Sequence, residues 1–420
     1  MGDFSQKDIE AIEALRHRVL ESVRGENREA LSDPSKHKNY LERVTMLEAK
    51  KMDGNLSKDA YKQVVDDLLG YGPLNKVLSS SSVTELVIAR YDLIFAEYGG
   101  VLTEEKNLSF RDERHFRAVL DKVAMTAGRR LDRNNTYVDA RLPDGTRVQI
   151  SVPPMSVRGA SANFRRFPKY YTTDELVDMG TMSGEMVSLM DEVQKEGCNI
   201  VVTGQMGSGK TTILNERISR ISKLLYPEAS VVIYEDICEL NPSHRNIRQF
   251  ESQPPNINGQ GGITFENMVK QQMLRTRADV IVIGEMCNEV AYYVIAAMTV
   301  GNSVLSTFHA NDASEAIKER LPHMYLMDKN RVNITQDGAL DEISYCVDFI
   351  IQMGKIVKKH GNTMTVERKV VQLAEVMQKH NPITGMMVPD VRVLFEWDGK
   401  KVVQLAEPMI FKKKKRWQWF

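Results

Sequence analysis

An octapeptide carrying three glycines, Gly204-Gln205-Met206-Gly207-Ser208-Gly209-Lys210-Thr211, separates the apolar run Asn199 to Thr203 from a helical stretch, Thr212 to Leu225. Glycines at this spacing let a chain leave a strand, curl with its N–H groups turned inward, and enter a helix. Such a turn needs a strand whose carboxyl end faces a helix N-terminus, as in a parallel sheet with crossover helices. The downstream sequence agrees. Val231 to Tyr234 and Val280 to Ile283 are further apolar runs separated by helical segments, so a doubly wound, mostly parallel sheet is expected.

The octapeptide fits G-x-x-x-x-G-K-[ST], in which backbone N–H groups cradle phosphate oxygens. Lys210 would reach the β- and γ-phosphates as a point charge. The Thr211 hydroxyl could ligate Mg²⁺, with Thr212 continuing the first helical turn. The expected ligands are therefore ATP and Mg²⁺. Val280 to Ile283 delivers Gly284-Glu285 to a strand end, where a carboxylate could bind metal or polarise water. Val231 to Tyr234 likewise delivers Glu235-Asp236, with Glu239 close behind. In isolation a turn-forming acidic pair is the commoner explanation of that cluster. His309, in Ser306-Thr307-Phe308-His309-Ala310-Asn311, comes after another apolar run and is a candidate γ-phosphate sensor or relay, although a lone histidine is as often structural. The expected catalytic residues are Glu285, Glu235 and His309, and the expected metal set is Thr211, Asp236 and Glu285. Sequence leaves open which glutamate acts as the base.

Around this centre the chain divides by texture into five stretches. Residues 1–53 read as helical hairpins, with Ile12, Leu15 and Val19 at near-helical spacing and a Ser32 to Pro34 break. Residues 54–168 begin with a third amphipathic helix through Tyr61, Val64 and Leu68, capped by Ser57. They continue as a mixed α+β unit with strands at Leu86 to Ile88, Ile94 to Ala96 and Val148 to Val152. Residues 169–182 read as a connector and 183–352 as the P-loop α/β domain. Residues 353–420 form a β-like extension with a hairpin turn at Asp398-Gly399, ending in a basic aromatic tail. Met182, Met186 and Met190, at helical spacing, read as core filler.

Composition excludes several classes. With 42% apolar and 27% charged residues over 420 positions, disorder and a wholly coiled-coil rod are disfavoured. Lys and Arg number 56 against 56 Asp and Glu, so there is no global excess of positive charge for nucleic acid, although a local patch stays open. Cys198, Cys238, Cys287 and Cys346 form no C-x-x-C pair, which argues against a thiolate zinc site and suits a reducing cytoplasm. Met1 to Glu10 lacks the pattern of a signal peptide, and no apolar stretch has the length of a membrane span, so any membrane contact is expected to be peripheral. The tail Lys412 to Arg416 with Trp417, Trp419 and Phe420 joins basic charge to interfacial aromatics and could meet anionic lipid, or simply be solvated.

These signals in this order resemble the secretion-ATPase superfamily of type II and type IV secretion and type IV pili. Gly70 to Leu74, Gly128 to Asp132, Asp139 to Gly145 and Phe164 to Phe167 look like segments of its tight-adherence (CpaF-like) branch, and the resemblance spans roughly residues 60–352. It implies a RecA-like P-loop domain preceded by an α+β, PAS-like domain. Glu235-Asp236 and Glu239 would fall in an Asp box, Glu285 in Walker B and His309 in a His box. By motif match Arg147 and Arg166 of the amino-terminal domain would approach the γ-phosphate, with Arg141 and Arg165 as weaker candidates. The resemblance further implies a homohexamer on the cytoplasmic face of the inner membrane, passing domain rotation to a membrane platform protein in pilus assembly or secretion.

Met286, Cys287 and Asn288 stand where an aliphatic residue and Arg-Asp are usual, Ala278 replaces a proline, and Asn302 occupies the place of a histidine. These departures bear on turnover rather than on nucleotide binding. They motivate an alternative, a nucleotide-binding regulatory subunit that hydrolyses poorly. A conjugation ATPase handling DNA is a further alternative, disfavoured by the balanced charge.

Overall fold

A computed structural model describes residues 6–27, 37–52, 58–80, 82–142, 144–166, 169–253, 260–288, 290–327, 334–360 and 363–409. The Ser32 to Pro34 break, the Ser57 cap, the boundaries expected near Gly54 and Phe167-Pro168, and the tail from Lys412 lie outside the described residues. The chain divides into two compact units, Met1–Phe167 and Pro168–Phe420.

In the first unit, helices Gln6–Glu26, Lys38–Lys51 and Lys58–Leu69 bury one apolar stripe each. Ile12, Leu15, Val19 and Val23 of the first meet Leu41 and Val44 of the second and Val64 and Leu68 of the third. The third helix therefore packs with the two before it rather than opening the α+β stretch. Next in the chain are six strands: β1 (Val83–Arg90), β2 (Leu93–Tyr98), β3 (Val101–Glu104), β4 (Tyr137–Arg141), β5 (Arg147–Ser151) and β6 (Ser161–Arg165). They form one antiparallel sheet in the order β3-β2-β1-β6-β5-β4. Helix Glu113–Thr126 contributes Phe116, Leu120 and Val123 to a shared core with Leu86, Ile88 and Ile150.

A buried polar knot joins the helical region to this helix. Asp67 accepts from His115 Nε2 at 2.9 Å and from Arg111 Nη1 at 2.8 Å. Burial pushes the Asp67 carboxyl up, but the His115 and Arg111 contacts outweigh it and leave the group below its usual range. Lys122 Nζ donates to the carbonyls of Asp67, Leu68 and Gly70 at the end of the third helix, and burial pushes its pKa down to about 8.

The second unit is built on nine strands: β7 (Ile200–Gly204), β8 (Val231–Glu235), β9 (Ile247–Glu251), β10 (Val280–Ile283), β11 (Ser303–Phe308), β12 (Phe349–His360), β13 (Thr363–His380), β14 (Met387–Trp397) and β15 (Val402–Gln404). Their order is β15-β14-β13-β12-β7-β11-β10-β8-β9. From β12 to β9 every pairing is parallel, and from β12 to β15 every pairing is antiparallel. Alternate residues of the central strands feed two cores. Ile200, Val202, Val231, Ile233, Val280 and Val282 face helix Gly184–Lys195 and the helix after the glycine loop. Val201, Val232, Ile281 and Ile283 face helices Phe265–Gln272 and Val290–Thr299. Burial on both sides is why these strands are continuous apolar runs. Met182, Met186 and Met190 lie in the first of these cores.

The last stretch of chain is not a separate layer. β12 spans the expected boundary at 352 and pairs with β7 directly, so the glycine loop leaves a strand flanked by β11 on one side and β12 on the other. Asp398 and Gly399 make the turn between β14 and β15, with the Asp398 carboxylate accepting from Lys400 and Lys401 N–H.

Candidate active site

All five residues of β7 are buried, and the loop that leaves it is shaped by glycines at three left-handed positions. At Gly204 (φ +149°) a Cβ would stand 2.6 Å from the Met353 carbonyl and 2.6 Å from Ser208 Oγ, so no side chain fits. Gly207 and Gly209 have φ +70° and +100°, and Gly209 caps helix Lys210–Ser219, whose first turn holds no acidic residue. That helix end therefore presents N–H groups and partial positive charge without an internal counter-charge. Gln205 and Met206 form the exposed tip, and Thr211 and Thr212 are half-buried in the first turn. Ser208 is fully buried, yet its Oγ has no hydrogen-bond partner. An orphaned hydroxyl inside a cradle of N–H groups fits a phosphate ligand.

Lys210 is 8% exposed, and its ammonium bends back to Gly204 O at 3.1 Å, Gln205 O at 3.3 Å and His309 Nδ1 at 3.0 Å. Burial lowers its pKa, against the pull of the Glu285 and Glu239 charges. On its other side His309 places Nε2 3.1 Å from Glu285 Oε1. Nδ1 also lies 3.2 Å from the Gly204 carbonyl, but an ammonium can only donate, so the Lys210 contact assigns the lone pair to Nδ1 and turns Nε2–H to the carboxylate. Lys210, His309 and Glu285 thus form a chain across the ends of β7, β11 and β10, which are adjacent and parallel. The structure brings these three candidates into contact.

Glu235 ends the neighbouring strand but is occupied differently. It is 3% exposed; Oε1 accepts from Glu239 N at 2.8 Å and Leu240 N at 3.0 Å, and Oε2 from Gln249 Nε2 at 2.7 Å. Burial raises its pKa, with those donors opposing. Gly284 makes room for it, since a Cβ there would lie 2.6 Å from Glu235 Cγ. Asp236 is exposed and accepts from Ser252 Oγ at 2.6 Å. The acidic pair expected at one strand end therefore splits, one carboxylate folded into its own loop and the other on the surface. Among the described residues no three His, Cys, Asp or Glu side chains are grouped to hold a metal ion. A Mg²⁺ ion here would depend on the Thr211 hydroxyl and on oxygens brought by the substrate.

The amino-terminal arginines belong to the first unit. Register pairs Arg141 with Arg147 and Arg147 with Arg165, so three guanidinium-bearing residues form one row across β4, β5 and β6. Within the row Arg147 makes a two-pronged contact with Asp139, at 2.8 and 3.2 Å. Arg166 is outside the row and donates to the Ser80 carbonyl.

Sequence reasoning overlooked Gln352. On β12, it bonds Thr203 under the loop and donates to the carbonyls of Ala310 and Asn311 at 3.2 and 3.0 Å, tying β7 to the His309 turn. Asn311 in turn accepts from Gln205 at 3.3 Å. The signal was available: a lone glutamine inside Phe349-Ile350-Ile351-Gln352-Met353 is a buried polar residue that must have partners. The connector also holds an overlooked helix, Thr173–Asp178, announced by the capping box Thr172-x-x-Glu175.

The pattern of the type II/IV secretion system protein family matches residues 67–384. A Mycobacterium tuberculosis protein named for conjugal transfer is 28% identical over 257 residues, 59% of this chain and 71% of that one. The type IV secretion system protein VirB11 of Bartonella quintana is 24% identical over 347 residues, 73% of this chain and 94% of its own. Among solved structures, the ATPase DotB of Yersinia pseudotuberculosis superposes with a TM-score of 0.50 at 19% identity, covering 70% of this chain and 75% of that one.

Proposed function

Because the chain belongs to the type II/IV secretion system protein family, a family of P-loop ATPases, we propose that it binds ATP on the loop Gly204 to Thr212 and hydrolyses it with Glu285 as the water-positioning base. The observation that carries this reading is the buried ammonium of Lys210, resting on carbonyls of its own loop and on His309. A desolvated cation held only by neutral acceptors gains most from an incoming phosphate. On that arrival Lys210 exchanges loop carbonyls for β- and γ-phosphate oxygens. His309, released from Lys210, keeps its Nε2–H on Glu285 or turns to the γ-phosphate. Glu285, more than half exposed, accepts a proton of the attacking water, whose oxygen bonds the γ-phosphorus as the bond to the bridging oxygen breaks.

Glu235 has its oxygens engaged by three N–H donors and acts by shaping the turn to Leu240 rather than as the base. The Thr211 hydroxyl would hold Mg²⁺, which would offset phosphate charge; Asp236 and Glu285 are proposed to support it without themselves forming a ligand cluster. Arg141, Arg147 and Arg166 of the first unit are proposed as further phosphate contacts, and the cross-strand row favours the first two.

The wider role is proposed as a homohexameric cytoplasmic motor, of the tight-adherence branch or near it, that works on a membrane platform protein in secretion or pilus assembly. The relatives named for conjugal transfer and type IV secretion support export of a macromolecule, DNA included. No helix among the described residues is long and apolar enough to cross a membrane, which suits peripheral docking. Titration calorimetry and phosphate release on the purified protein and on Lys210→Ala test the core of this reading. Wild-type binding and turnover, both lost in Lys210→Ala, are expected. Binding without turnover in the wild type would select the regulatory-subunit alternative, and no binding would end both.

A further inference from the structure

The loop is touched from a direction that none of its motifs announces. β13 passes beside it, and Arg368 donates through Nε to the Gly207 carbonyl at 2.9 Å. The stem of the side chain lies along the loop, with Cδ 3.6 Å from where a Gly209 Cβ would be, next to Met353 Cε at 3.4 Å. The bond to Gly207 leaves both terminal amino groups of the guanidinium without a hydrogen-bond partner among the described residues, and no carboxylate pairs with Arg368.

The neighbouring cations of the same hairpin are different. Lys369 pairs with Glu367 at 3.2 Å, donates to Gly180 O at 3.0 Å and lies over the Trp397 ring at 4.7 Å. Lys358 pairs with the other oxygen of Glu367. In a stretch where lysines find acidic partners, a half-buried arginine without one stands over a loop whose internal Ser208 hydroxyl is also unpartnered. A guanidinium fixed through Nε keeps a planar pair of N–H donors, a geometry suited to two oxygens of one phosphate.

We propose that Arg368 is a second cation of the phosphate site, supplied by the carboxyl-terminal strands of the same chain, which binds polyphosphate oxygens with its terminal amino groups while Nε holds the loop. The inference rests on the nucleotide reading of the loop and adds to it a ligand contact from beyond the α/β strands that carry the motifs. The adjacent residue of β13, Lys369, holds the connector at Gly180, and Val370 N bonds Thr181 O at 2.8 Å. One strand thus contacts both the phosphate loop and the chain leading into the unit.

The test is equilibrium titration of the full chain with ATP, pyrophosphate and adenosine at several ionic strengths, for the wild type, Arg368→Gln, Arg368→Lys and Lys210→Ala. Arg368→Gln is expected to weaken ATP and pyrophosphate by about tenfold each and to leave adenosine unchanged. It should also flatten the dependence of ATP affinity on salt, which loss of a mere prop would not do, and Arg368→Lys should restore part of both. Arg368→Gln with wild-type affinity and salt slope, while Lys210→Ala has lost binding, overturns this inference alone. A wild type that binds no ATP, or a Lys210→Ala that binds as well as the wild type, overturns the nucleotide reading and this inference with it.

Discussion

Strands β8 and β10 lie side by side, run parallel and each deliver a glutamate to the same edge of the sheet, yet the two carboxylates meet different surroundings. Glu235 is buried, raised in pKa by that burial and closed off by three N–H donors. Glu285 is 56% exposed at its side chain and meets His309, which meets the phosphate-loop lysine. A buried carboxylate held by its own turn and by Gln249 of the next strand reads as architecture. A half-exposed carboxylate that meets His309 keeps a face open to solvent. The difference originates in the residues just after each strand. The chain beyond Glu235 folds back and donates Glu239 and Leu240 N–H to it, whereas beyond Glu285 Met286 is drawn into the core and its N–H goes to the Thr307 carbonyl.

The contrast is most exposed to failure at Glu285. Glu285→Gln should lower kcat by about 10² to 10⁴ while leaving ATP affinity and the melting temperature near wild type, since it removes a base without orphaning a buried group. Glu235→Ala should do the reverse. Leaving buried N–H donors unmatched costs about 1–3 kcal/mol, read as a lower urea midpoint at unchanged slope, with kcat of the folded fraction largely kept. If Glu235→Ala instead stops turnover in a protein of normal stability, the roles are exchanged.

Next in size is the glycine between them. Gly284→Ala drives a Cβ to 2.6 Å from Glu235 Cγ, and such overpacking costs about 1–3 kcal/mol. The damage is transmitted through Glu235, so Gly284→Ala and Glu235→Ala should combine to less than the sum of the two single effects. Additive effects would place the clash elsewhere.

Much of this neighbourhood was legible in the sequence because it is local. Ile200 to Val202, Val231 to Tyr234 and Val280 to Ile283 are apolar throughout, and only strands covered on both faces can be so. The loop glycines, Lys210 and His309 are given by motif and position. Which glutamate stays exposed was not legible, since it depends on whether the next few residues curl back, and Gln249 of β9 must arrive from another strand to close the cage. Gln352 and Arg368 were missed for a related reason. The pairing of β12 with β7 joins residues 149 apart, as in the contact between Asn199 and Asp348, and no window of sequence reports such a partner. The expected boundary at 352 rested on a change of texture, from apolar runs to alternation, that marks the passage from parallel to antiparallel pairing within one sheet.

The smallest effect asks which force wins at Glu235. Burial raises its carboxyl above the ordinary 4.5, and three N–H donors pull the other way. If burial wins, the folded chain holds this proton to higher pH than the unfolded chain does. Between 4.5 and the folded value the native state then binds more protons, so the stability contributed by this group declines as pH rises through that window and is complete only below it. Glu235→Gln carries no proton and provides the flat reference. The urea stability of the wild type minus that of Glu235→Gln should therefore fall as pH is raised from 4.5. A difference that rises instead would mean that the N–H cage outweighs desolvation, making Glu235 a stabilised anion and placing a permanent negative charge beside the strand end that presents Glu285.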